Sequence, residues 1–72
     1  MTVNLVKYRL TSSTFALFPE DGHHAVRTVP TGAVVMIDEA LFDETKPVQV
    51  LWGGNKVLMF PRDVRARGQK ID

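Results

Sequence analysis

Apolar and polar positions alternate through most of residues 3–10 (VNLVKYRL), with Tyr8 and Leu10 continuing the even-numbered side. A period of two predicts a strand with one buried face. Thr11, Ser12 and Ser13 break it, and residues 14–18 (TFALF) form a second short apolar run that Pro19 is expected to end. Glu20-Asp21-Gly22 is turn chemistry, since Asp tolerates a left-handed backbone and Gly adopts positive φ at little cost. Residues 24–29 (HAVRTV) read as a third strand, closed by Pro30. The unbroken β-branched run at 33–37 (AVVMI) predicts a strand covered on both faces.

Residues 38–46 (DEALFDETK) are the only helix-compatible window. About ten residues are marginal for a helix, and Pro47 disfavours a helical Lys46, so a loop with one helical turn, tethered by Leu41 or Phe42, is expected. Residues 48–52 (VQVLW) and 56–60 (KVLMF) flank Gly53-Gly54-Asn55 and form the clearest hairpin. Pro61 cannot donate to a ladder. The short DVRAR segment after it predicts a 3-10 turn near residues 61–65, Gly68 ends that turn, and residues 69–71 return as a last strand. The pattern predicts an all-β fold, a small barrel of five to seven short antiparallel strands, in one domain over residues 1–72.

Size sharpens the picture. The chain has 72 residues, 44% of them apolar, near the lower limit for unaided folding. It has no cysteine, so disulfides and thiolate-ligated metals are excluded, and stability must come from packing or self-association. No apolar run reaches the roughly 20 residues that span a bilayer, and the N-terminus has no signal-peptide pattern; a cytoplasmic location without membrane association is expected. A net charge of +1 is far below that of a general nucleic-acid binder. The charges are nevertheless segregated. Asp38, Glu39, Asp43 and Glu44 precede a basic stretch with Lys46, Lys56, Arg62, Arg65, Arg67 and Lys70, against only Asp63 and Asp72. Such asymmetry bears on association and steering.

From residue 14 onward the order of elements resembles the Src-homology-3 (SH3-like) small barrels. Phe15-Ala16-Leu17-Phe18 is similar to that family's first strand, Ala-Leu-Tyr-Asp-Tyr. Phe60-Pro61-Arg62-Asp63-Val64 is similar to its Phe-Pro-x-Asn-Tyr corner, and the Gly53-Gly54-Asn55 hairpin to its distal hairpin. The resemblance implies a peptide groove built on aromatics. Pro61 keeps the corner proline, but Val64 stands where the groove tyrosine belongs, and Trp52 lies at the far end of its strand rather than the start. Classical proline-rich peptide binding is therefore not expected. The hairpin also resembles that of type II dihydrofolate reductases, whose strand Val-Gln-Ile-Tyr reads Val57-Leu58-Met59-Phe60 here. Leu58 replaces the substrate-contacting Gln, which argues against that activity. The chain as a whole resembles uncharacterised short bacterial barrel proteins, and that resemblance implies no activity.

No catalytic or metal constellation stands out. Glu20, Asp21, His23 and His24 have ligand chemistry, but adjacent histidines on a strand point to opposite faces. Ser12, Ser13 and Thr14 lack a nearby oriented base. No metal, cofactor or catalytic residue is expected. Candidate binding residues are Trp52, Pro61, Arg62, Arg65 and Arg67. The leading expectation is a non-enzymatic module that self-associates as a homo-oligomer and binds a protein partner, with apolar residues in 3–10 and at Leu41 and Phe42 in surplus. The alternatives are a nucleic-acid-binding barrel using Trp52 and the Arg62 to Lys70 corner, in which aromatics stack bases and cations meet phosphates, and a small-ligand or enzyme site between subunits.

Overall fold

The computed structural model describes residues 4–71, so Val3 of the first predicted strand and Asp72 lie outside the described residues. Seven strands make one antiparallel sheet: β1 (Leu5–Leu10), β2 (Thr14–Glu20), β3 (His23–Val29), β4 (Val34–Asp38), β5 (Val48–Trp52), β6 (Asn55–Met59) and β7 (Gly68–Ile71). Their spatial order is β3-β2-β6-β5-β4-β1-β7. A 3-10 turn, Glu39–Leu41, follows β4, and helix α1, Pro61–Arg67, joins β6 to β7. The all-β prediction holds. The barrel is not closed, because β3 and β7 are sheet edges that do not pair with each other. Helix α1 packs against β1, β2 and β7, bridging strands far apart in the sheet order.

The register assigns the faces. Tyr8 sits across from Val35, Val35 from Trp52, and Val50 from Val57, all on the inner side. Leu10, Ala16, Val29, Val35, Ile37, Val48, Val50, Val57, Met59 and Val64 form the core. It is built mainly from valine. None of the six aromatic side chains is fully buried.

Several expectations are corrected. Strand β2 runs through Pro19 instead of ending there, because beyond Leu17, its one register partner on β6 (Leu58), that side of β2 has no ladder for a missing N–H to break. Residues 33–37 are fully covered on one face only: Val35 and Ile37 are buried, whereas Val34 is exposed and Met36 half-buried. Two glycines suffice for the β5–β6 turn, with φ of 57° at Gly53 and 81° at Gly54, so Asn55 joins the ladder opposite Trp52. Residues 61–67 form a seven-residue α-helix rather than the 3-10 turn expected near residues 61–65. Pro61 opens it at N1, where its lost N–H costs nothing, and Val64 one turn later anchors it in the core.

The first strand adds to its own sheet. β1 lies between β4 and β7, and Val6, Tyr8 and Leu10 face inward. Leu41 and Phe42 also pack against the core. Much of the apolar surplus expected at these places is spent internally, although Leu5 stays 46% exposed.

Candidate interaction surfaces

Helix α1 sorts the candidate residues of the corner by face. Pro61 and Val64 are buried beneath it; Val64 is sealed in the core, while Pro61 still forms part of the wall of a surface cleft beside Phe60. Arg62, Arg65 and Arg67 point outward. The two arginines in the last turn and Asp63 in the first match the helix dipole. The Arg65 guanidinium carbon lies 4.8 Å from the centre of the Phe42 ring, which is itself 5.2 Å from Tyr8. Arg67 donates from Nη1 to the Ser13 carbonyl at 3.3 Å, while its own carbonyl accepts from the Thr11 amide at 2.8 Å. Arg62 lines a cleft of about 410 Å³ with Phe42, Asp43, Glu44 and Phe60.

Trp52 belongs elsewhere. Val48 pairs with Met59 next to α1, whereas Trp52 pairs with Asn55 at the opposite end of the hairpin. Four residues of strand separate the two ends, about 13 Å. The indole is half-buried and meets Phe18 edge-to-face at 5.6 Å; Arg27 lies 5.9 Å over Phe18 and donates to Glu20 Oε1 at 2.8 Å. Trp52 and the arginines therefore do not form one surface.

Two cations that sequence reasoning left out sit on β1, beside β7. Lys7 and Arg9 lie on the outer face of β1, opposite Ile71 and Gln69 of β7. Six of the nine lysines and arginines sit on β1 (Lys7, Arg9), α1 (Arg62, Arg65, Arg67) and β7 (Lys70), but not on one face: Lys70 lies opposite Tyr8 on the inner side, whereas Lys7 and Arg9 lie on the outer side. The signal was present in the alternation of LVKYRL, which puts Lys7 and Arg9 on the face opposite the core residues. What was missing was the pairing of β1 with β7.

A second surface is apolar. Phe15 and Val26 are each 65% exposed and Phe60 is 44% exposed. The register runs Val26, Leu17 and Leu58 in a row across β3, β2 and β6 on the outer face. Together with Phe15 and Phe60 they wall a shallow depression of about 280 Å³ with Asp63 at its rim. Contiguous apolar surface of this kind marks interaction sites in soluble domains. The run TFALF contained the signal, since it is apolar at Phe15 and Leu17 as well as Ala16 and Phe18.

The catalytic and metal options gain no geometry. Ser12 and Ser13 precede β2, whereas His23 and His24 lie at the other end of the β2–β3 hairpin, about 20 Å along the strands. Among the described residues no three His, Cys, Asp or Glu side chains converge as a metal site. Comparison of the chain with protein-family models, with curated proteins and with solved structures found no match.

Proposed function

We propose that the chain is a non-enzymatic interaction module, an SH3-like small barrel of the short bacterial type acting in the cytoplasm. It self-associates and binds a protein partner through the outer apolar face of β3, β2 and β6. The observation that carries this reading is Phe60. It occupies the N-cap of α1 and makes no side-chain cap hydrogen bond, with 44% of its surface exposed. Ser, Thr, Asp or Asn at that position stabilises a helix by about 1 kcal/mol over an apolar residue. An aromatic there is poorly used for stability and well used for a surface patch with Phe15, Leu17, Val26 and Leu58.

Phe60→Ser tests the trade. The serine supplies the missing cap and removes part of the ring's packing, so the unfolding free energy should change by no more than about 1 kcal/mol. Light scattering should show weaker self-association for this variant than for the wild type. A variant that associates as strongly as the wild type would count against the outer face.

The concentration of cations on β1, α1 and β7 supports a second reading, nucleic-acid binding through phosphate contacts without Trp52. Titration of a single-stranded oligonucleotide at low salt should then give binding that weakens steeply with added salt and that is reduced by Lys7→Gln with Arg9→Gln. Absence of binding at low salt would end this reading.

A further inference from the structure

The two edges of the sheet are not equivalent. Edge β7 has four residues, carries Lys70 and borders Lys7 and Arg9 on β1. Short length and cations are the usual protections against edge-to-edge pairing. Edge β3 has seven residues in unbroken register with β2, with no bulge, proline or lysine. Its single arginine, Arg27, is turned onto its own hairpin by Glu20 and Phe18.

The turn fixes which backbone groups of β3 are free. Asp21 and Gly22 both have positive φ, 40° and 81°, as in a two-residue type I′ hairpin. Such a turn makes Glu20 and His23 a hydrogen-bonded pair, and the antiparallel ladder then alternates. Ala25 and Arg27 therefore bond to β2, while His24, Val26 and Thr28 turn their N–H and C=O groups to the open edge. Pro19 fits the same phase, because its partner His24 belongs to a pair that exchanges no bonds.

We infer that β3 pairs with β3 of a second copy of this chain, antiparallel about a two-fold axis at Val26. This rests on the self-association proposed above and specifies its geometry. In that register Val26 faces its own copy, and His24 faces Thr28 of the other chain. Every outward N–H of these three residues then finds a carbonyl, which a shift by two residues in either direction does not achieve. Ala25 falls opposite the copy's Arg27, so the two arginines are not opposed. The axial valines also join the two outer apolar faces into one row through Leu17 and Leu58. A strand edge buries less than the roughly 800 Å² per partner of a standard interface, so this pairing forms at high protein concentration.

Thr28→Pro is the test. It removes an outward N–H while leaving the β2 ladder and the residues of the apolar face intact, and proline is tolerated on an open edge. Thr28→Ala is the control for the side chain. Sedimentation equilibrium should show dimer dissociation at least tenfold weaker in affinity for Thr28→Pro and unchanged for Thr28→Ala, with both variants keeping the wild-type circular dichroism. If Thr28→Pro dimerises like the wild type while Phe60→Ser does not, the edge pairing is overturned and the apolar face stands as the interface. A wild-type chain that stays monomeric at millimolar concentration overturns the edge pairing and the self-association together, and leaves the face to a different protein.

Discussion

Aspartate in place of Val64 should leave the chain unfolded at neutral pH. Val64 is fully buried and, with Pro61, is all that α1 inserts into the core. The substitution forfeits about 1.5–3 kcal/mol of side-chain burial. It also strands a carboxylate without a partner, at a cost of several kcal/mol more. A domain of 72 residues is stable by only about 4–11 kcal/mol. The two losses together are comparable to that whole margin. Circular dichroism and urea titration of Val64→Asp should show no cooperative transition, while Ala66→Gln, on the outward side of the same helix, should stay within about 0.5 kcal/mol of the wild type. A cooperatively folded Val64→Asp would mean that α1 can leave the sheet without cost.

Gly68→Ala should be the next most damaging change, although it adds one methyl group. Gly68 has an ordinary extended backbone, with φ of −133°, so the difficulty is space and not conformation. A Cβ there would lie 2.6 Å from the Val64 carbonyl oxygen and 3.3 Å from Leu10 Cδ2. The carbonyl is backbone and cannot swing aside. Either the end of α1 must shift or β7 must draw away from Leu10, its register partner. Overpacking of this kind costs about 1–3 kcal/mol. For a domain this small that lowers Tm by roughly 5–20 °C. A thermal melt of Gly68→Ala within about 2 °C of the wild type would show that the contact relaxes freely.

These two residues show what the sequence could and could not disclose. Val64 was legible as a departure from an aromatic groove, but its burial depended on Pro61 opening a true helix, which a five-residue window could not reveal. Gly68 was legible as a terminator; its close approach to the Val64 carbonyl is a tertiary fact. The strands were read well because period-two alternation and Gly, Pro and Asp turns are local signals. The coverage of each face was read less well. AVVMI is apolar on both sides, which predicts burial on both sides, yet Val34 is exposed and Met36 only half-buried. Trp52 and the arginines looked like one corner because they are close in sequence. A straight hairpin between them puts them at opposite ends. Lys7 and Arg9, distant in sequence from the basic C-terminal stretch, came beside β7 only through the pairing of the first strand with the last.

The association surface is the central claim, and sedimentation equilibrium across a concentration series tests it most directly. The wild type should rise above the 8.1 kDa of a single chain as concentration increases, while Phe15→Ser combined with Phe60→Ser should remain at 8.1 kDa with an unchanged circular dichroism spectrum. A double variant that still assembles like the wild type would contradict the account.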